Sequence, residues 1–230
     1  MNNIDGVLES YLARLNLCPL CNHAINAVAS FYSFKGLVLL PVLWWLWFRP
    51  GERAQWRREI VIATTVSGIL ALFIGRALAD FLPFRARPIN TPGLHEHFAS
   101  ILHRESMLPT WSSFPSDHAI LWTSVAVGIF IASRRIGIFA LLYTAFFICA
   151  PRAYLGFHYP TDLLAGAAIG IVITYAMTRD AIRNLYAPSV LRWMDRYPGV
   201  SAMLAFVLCL ELVTQFEELR KFASSLTKVI

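Results

Sequence analysis

The sequence predicts an all-α membrane protein, a polytopic bundle of about six transmembrane helices with an amphipathic helix at the N-terminus. The 230 residues are 57% hydrophobic and only 15% charged, whereas an average soluble protein has about 25% charged residues. The apolar residues stand in long blocks rather than in alternation, which indicates membrane helices. The net charge is +6, and its cations cluster at the ends of those blocks. Membrane lipids therefore explain the charge better than nucleic acid does, and no nucleic-acid-binding motif is visible.

Residues 1–30 are predicted to form an interfacial segment. Asp5 and Glu9 and the lack of a basic start argue against a secretory signal peptide. One face of the first helix is apolar, which suits the membrane surface or, equally well, ordinary packing. Cys18 and Cys21 form a C-x-x-C pair that we interpret as a structural disulfide or two idle thiols rather than a redox pair. The apolar residues of the helix are Ile4, Val7, Leu8, Tyr11, Leu12 and Leu15.

Six apolar segments follow and are expected to span the membrane. Lys35 lies near one end of the first and could snorkel to the surface. Arg76 and Asp80 lie four residues apart at the end of the second and are placed to pair. The whole of 1–230 is predicted to be one membrane domain, with a core at 60–178. The segments cover about 31–48, 60–79, 116–133, 136–150, 161–177 and 199–216.

The distribution of basic residues predicts the orientation of the bundle. The segments 49–58, 134–135 and 179–196 all lie on one side and hold four, two and four of the chain's 20 lysines and arginines. On the positive-inside rule this side is cytoplasmic. The polar loops 81–115 and 151–160 then face outward.

The second of these loops carries the residues of a reactive site. It offers a cation at Arg152, an imidazole at His158 and a carboxylate at Asp162. Pro160 is expected to be the first residue of a helix, which places Asp162 in the first turn. From there Asp162 could accept a hydrogen bond from His158, fix its tautomer and leave the other ring nitrogen free to attack. The plainer interpretation is a polar loop between two membrane helices.

The first polar loop is expected to meet the second, because each leads into an inward-running helix. Helix N-termini bind anions, and Ser116 could cap one helix or donate to a phosphate oxygen. His118 could act as general acid to the leaving oxygen, while Arg87 and Arg152 bind phosphoryl oxygens. This pattern predicts phosphoryl transfer through a phosphohistidine on His158, with no metal ion or other cofactor.

These segments resemble the three signature motifs of the type 2 phosphatidic acid phosphatase (PAP2) superfamily of integral membrane lipid phosphatases. The third motif, S-R-x5-H-x3-D, matches Arg152, His158 and Asp162, with proline at its serine position. The second, P-S-G-H, matches at Ser116 and His118, with Asp117 in place of glycine. The resemblance covers about residues 60–178.

The first motif, K-x6-R-P, matches at Arg87 but places Asp80 at its lysine position. We expect Arg85 to supply the missing charge, since alternate residues of an extended stretch point the same way. Interface anchoring is the alternative for Arg85. Arg76 is the other nearby cation that could take the place of the lysine, although a pair with Asp80 is the favoured interpretation of Arg76. Asp117 is expected to be a helix-start carboxylate or to set the charge state of His118. The loop histidines form too weak a pattern for zinc; they are His95, His97 and His103.

The resemblance implies a metal-independent phosphatase acting on a lipid phosphate or diphosphate at the outer face of a bacterial inner (plasma) membrane. Undecaprenyl diphosphate is the first candidate substrate, beside phosphatidic acid, phosphatidylglycerol phosphate and a phosphorylated glycolipid. The alternatives are a lipid phosphotransferase and a non-catalytic protein that binds a lipid phosphate. The oligomeric state is left open.

Overall fold

The chain is all-α, as predicted. This computed structural model describes residues 3–15, 17–91, 111–217 and 225, and no strand lies within them. A short 3₁₀ turn, Pro88–Asn90, follows the fourth helix. The helices are α1 Asn3–Arg14, α2 Pro19–Ser30, α3 Tyr32–Phe48, α4 Ala54–Phe81, α5 Asp117–Ala132, α6 Arg134–Tyr154, α7 Pro160–Thr178, α8 Asp180–Arg196 and α9 Pro198–Thr214.

The chain is a membrane protein, and helices lie at all six predicted spans. By length and composition, α4, α6 and α7 could each cross a membrane, with 28, 21 and 19 residues. The pairs α2–α3 and α8–α9 are bent by 55° and 119° and reach that length only together. Helix α5 is apolar but has 16 residues, so the count of six stays a prediction. Sequence reasoning assigned no helix to α2 or α8.

Helix α5 lies at the centre of the bundle, with every residue from Ala119 to Ala126 buried. Helices α4 and α7 pack against it, and two glycines of α7 allow close contact. A Cβ on Gly166 would lie 2.8 Å from the Ser116 carbonyl oxygen, and one on Gly170 would lie 2.5 Å from that of Ile120. Glycine is therefore required where the α7 backbone meets the start of α5. This contact brings the N-termini of both helices to one end of the bundle.

Helix α6 changes its winding just before the site. Residues Thr144–Cys149 form a π-helical segment, and Pro151 follows within the helix. Proline lacks an N–H and its ring obstructs a regular helical turn, so a local widening of the helix accommodates it. The last turn of α6 then presents Arg152, which is buried, at the same end as the start of α7.

The N-terminal helix is present, and its acidic face rather than its apolar face packs against the bundle. Asp5 and Glu9 are fully buried, whereas Val7 and Tyr11 are 68% and 64% exposed. The reason is long-range: the Asp5 carboxylate accepts a hydrogen bond from the Thr161 hydroxyl at 2.8 Å, at the start of α7. Helix α1 is therefore fixed to the bundle by its acidic face. In the segment that follows, Cys18 and Cys21 form a disulfide.

Arginine-rich segments meet at the opposite end of the bundle. Arg57 donates to the carbonyl oxygens of Arg49 and Pro50 at 2.7 and 3.0 Å. Arg183, at the start of α8, pairs with Glu59 of α4 at 3.1 Å. These contacts place the basic turn 49–58 beside the start of α8. The distribution of basic residues predicted that these two segments lie on the same side of the bundle.

Candidate active site

Two polar segments meet at the other end, as predicted. The Ser113 N–H donates to the Arg85 carbonyl oxygen at 2.8 Å, and the Ile89 N–H donates to that of Gly156 at 3.0 Å. A cavity of about 590 Å³ opens between them. It is lined by four of the predicted site residues and by several charged neighbours. The predicted ones are Arg87, His118, Arg152 and His158; the charged neighbours are Arg76, Asp80, Asp117 and Glu217.

His158 is held by a backbone carbonyl. Its Nδ1 lies 2.8 Å from the Ser113 carbonyl oxygen, and because a carbonyl can only accept, Nδ1 must carry the hydrogen. The Nε2 lone pair is then free. Burial lowers the pKa of His158 well below its usual value, and the charges of Arg87 and Arg152 lower it further, against a smaller opposing effect of the Ser113 carbonyl. The ring is therefore neutral at neutral pH, the form in which Nε2 can attack.

Asp162 does not hold His158 directly, which corrects the prediction. Its carboxylate lies 4.0 Å from His158 Nδ1, beyond hydrogen-bond distance. The carboxylate, fully buried, accepts instead from the Tyr159 N–H at 2.9 Å and from the Ser113 hydroxyl. Asp162 therefore holds the Ser113 side chain in place, and the Ser113 carbonyl oxygen in turn holds the imidazole ring of His158. Pro160 and Asp162 do lie in the first turn of α7, as expected.

Arg85 does not face the cavity, which corrects the prediction that it supplies the missing cation. Its guanidinium pairs with Asp162 and Asp5, donates to the Thr161 hydroxyl at 3.1 Å and lies 4.2 Å from the centre of the Tyr159 ring. Two fully buried carboxylates need a nearby cation, and Arg85 provides it. The prediction failed because Asp5 lies 80 residues away in the sequence.

Arg87, Arg152 and Ser116 bring buried hydrogen-bond donors to this end of the bundle. Both arginines are 9% exposed and each donates once to the backbone, Arg87 to Phe157 at 3.1 Å and Arg152 to Ala29 at 3.3 Å. In the described part of the chain, the Nε–H of each arginine and the Ser116 hydroxyl have no hydrogen-bond partner. Burial lowers the pKa of Arg87, but Asp117 and Asp162 oppose this effect. Buried donors without partners beside a cavity are suited to an anionic ligand.

Sequence reasoning missed Lys35. Its side chain is 3% exposed, and its Nζ lies 3.3 Å from Nε2 of His118. The prediction that Lys35 snorkels to the membrane surface is wrong, because the side chain points inward. The available signal was an ionisable residue within an apolar helix, which is a reason to suspect function.

Arg76 pairs with Asp117 rather than with Asp80, which corrects the predicted pair. The Arg76 Nε lies 3.2 Å from the Asp117 carboxylate. Its Nη2 donates to the Gln215 carbonyl oxygen at 2.7 Å. Arg76 thus joins α4, the first turn of α5 and the end of α9, while Asp80 lies at the cavity.

The histidine-rich part of the first loop lies outside the described residues, as do His95, His97 and His103. Within the ranges that the structure describes, no group of three or more histidine, cysteine or carboxylate side chains is arranged to hold a metal ion.

Comparisons with known proteins agree with the motifs. The sequence profile of the PAP2 superfamily matches residues 59–186. The chain is 32% identical to bacitracin transport permease protein BcrC of Bacillus licheniformis, over 64% of this chain and 68% of that protein. It is 29% identical to the putative undecaprenyl-diphosphatase YbjG of Escherichia coli, over 74% and 80%. Lipid A 1-phosphatase of Rhizobium etli is 34% identical, over 50% and 47%. No solved structure matches the chain significantly.

Proposed function

This chain belongs to the PAP2 superfamily, and from that membership we propose that it hydrolyses a lipid phosphate or diphosphate through a phosphohistidine, without a metal ion. The observation that carries the proposal is the contact between His158 Nδ1 and the Ser113 carbonyl oxygen at 2.8 Å. It leaves Nε2 as an oriented nucleophile beside buried cations. A protein that only bound a lipid phosphate would not need a nucleophile held in this way.

The reaction proceeds in two displacements. His158 Nε2 attacks phosphorus while the bond to the leaving oxygen breaks, and His118 protonates that oxygen. Water then attacks the phosphohistidine and releases inorganic phosphate. The negative charge on the transferred group is stabilised by Arg87, Arg152, the Ser116 hydroxyl and the N–H groups at the start of α5.

The donor set supports chemistry without a metal. Fixed guanidinium groups at Arg87 and Arg152 already provide positive charge at the cavity. Two nearby carboxylates are paired with arginines, Asp117 with Arg76 and Asp162 with Arg85. Such pairs are poor metal ligands, because a cation already neutralises them.

Undecaprenyl diphosphate is the leading substrate candidate. The Escherichia coli relative is named for that activity and the Rhizobium relative for removing a phosphate from lipid A. Both substrates present a phosphate group on a lipid, and a cavity of about 590 Å³ has room for a diphosphate headgroup.

We place the protein in a bacterial inner membrane with the cavity facing outward. The basic segments lie at the opposite end and favour the cytoplasm. Helix α2 lies at the cavity end, since the Ala29 carbonyl oxygen accepts from Arg152 at 3.3 Å. The Cys18–Cys21 disulfide lies at the start of that helix, and disulfides persist in oxidising compartments.

The test is phosphate release by the purified full chain from prenyl diphosphates, phosphatidic acid and lipid A. His158→Ala should lose on the order of 10³-fold or more, because the covalent route is removed. EDTA should have no effect, and orthovanadate should inhibit because it mimics the phosphoryl transition state. The matched control is His23→Ala, an exposed histidine of α2. Normal release by His158→Ala, or EDTA inhibition reversed by Mg²⁺, would contradict the mechanism.

A further inference from the structure

The two histidines of the site have partners of opposite character. His158 Nδ1 faces an acceptor, the Ser113 carbonyl oxygen. His118 Nε2 faces Lys35 Nζ at 3.3 Å, and an ammonium group has three donors and no acceptor. When the phosphate group of a substrate holds Lys35 in its charged form, Nε2 accepts, and the neutral His118 ring then carries its hydrogen on Nδ1. One ring is therefore arranged as a nucleophile and the other as a donor.

A neutral imidazole cannot serve as the acid by itself. If His118 gave its single N–H hydrogen to a leaving oxygen, an imidazolate would remain, which is too basic to form. The alternative, an imidazolium before the reaction, would leave two positive groups only 3.3 Å apart at His118 and Lys35. The proton must reach the ring as the ring gives one up, and Lys35 is in contact with the nitrogen that would receive it.

We propose that Lys35 is a positioning residue that supplies this proton, so that Lys35 and His118 act as a relay. In the first displacement the Nδ1–H bond breaks towards the leaving oxygen and an Nε2–H bond forms from Lys35, which ends as a neutral amine. In the second displacement the attacking water gives a proton to Nδ1, and the Nε2 proton returns to Lys35. The cycle closes with no net change, and it rests on the proposed function.

The packing of α3 holds Lys35 in this place. The next residue, Gly36, allows close contact: a Cβ there would lie 2.4 Å from a methyl group of Val213 and 3.4 Å from the Trp122 ring. Helix α3 is thereby drawn against α9 and α5, and the side chain is 3% exposed. A lysine that served only for solubility or membrane anchoring would reach the surface instead.

The relay has a consequence for the substrate class. A phosphate monoester of a lipid alcohol releases an alkoxide, which needs a proton as it leaves. A diphosphate releases a phosphate, and an aryl phosphate releases a phenolate, and both can leave as anions. A built acid should therefore matter most for a lipid phosphate monoester, whose leaving oxygen is the most basic of the three.

The experiment compares phosphatidic acid with p-nitrophenyl phosphate as substrates of the purified full chain. Lys35→Met should lower kcat on phosphatidic acid by about 10²-fold, the usual contribution of general acid catalysis, and leave kcat on p-nitrophenyl phosphate nearly unchanged. Lys35→Arg should stay slow on phosphatidic acid, because a guanidinium keeps the charge but does not release its proton. Arg135→Met, an exposed cation at the start of α6, is the control and should match the wild type on both substrates.

Three results would overturn the relay: equal losses on both substrates, full activity of Lys35→Arg, or a wild type that cleaves diphosphates and p-nitrophenyl phosphate but not phosphatidic acid. If Lys35→Met does not fold, Lys35→Gln takes its place in the same comparison. A wild type that cleaves none of the substrates would refute the proposed function itself, and the relay with it. A wild type that cleaves all of them, with variants that do the same, would refute the relay alone.

Discussion

Replacing Arg85 tests whether this residue stabilises the fold or binds the phosphate group of the substrate. Its guanidinium lies between the carboxylates of Asp5 and Asp162, both fully buried, while the Arg85 side chain is 25% exposed. Breaking a buried pair costs about 3–5 kcal/mol, and we take the lower end because Arg85 is partly exposed. Arg85→Met should therefore lower the free energy of unfolding by about 3 kcal/mol and the melting temperature by roughly 6–12 °C.

The assay is thermal unfolding in detergent of Arg85→Met, Asp5→Asn and the double variant. Both single variants should melt earlier, and the double variant should lose less than the sum, because the two residues share one contact. A phosphate-binding Arg85 predicts a different result: a loss of about 2–4 kcal/mol of transition-state stabilisation with a normal melting temperature. That outcome, together with an Asp5→Asn variant that melts at the wild-type temperature, would refute the structural role of Arg85.

Two further predictions concern pH and topology. Burial, together with the charges of Asp5 and Asp162, raises the pKa of the Glu9 carboxyl to about 8, against the opposing charge of Arg85. The neutral carboxyl therefore contributes fully to the free energy of unfolding below about pH 4.3, the usual pKa of glutamate. That contribution is lost as the pH rises through 8. Melting temperatures between pH 6 and 9 should therefore fall more steeply for the wild type than for Glu9→Gln, and parallel curves would contradict this assignment. An impermeant thiol reagent should label Ala86→Cys in intact cells but Glu52→Cys only after lysis, above the wild-type background; the reverse pattern would invert the orientation.

Local features of the sequence indicated the apolar helices and the start of α7. Hydrophobic blocks fix α3 to α7 because a span needs continuous apolar residues. Pro160 marks the first turn of α7 because proline suits that position. The motif residues identified the PAP2 superfamily, which the family match confirms. The helix order then brought Arg87, Arg152, His118 and His158 to one cavity, because their loops lie at the same end of adjacent helices.

Only the tertiary structure decided which groups are partners within that cavity. His158 is held by the Ser113 carbonyl 45 residues away, and every residue carries such a carbonyl, so no sequence pattern distinguishes this one. Arg85 pairs with Asp5, which is 80 residues away in the sequence, and Lys35 contacts His118, which is 83 residues away. Periodicity and motif spacing describe neighbours along one helix or loop. Contacts between distant segments depend on how closely helices pack, which here rests on glycines such as Gly36, and that closeness appears only once the helices are assembled.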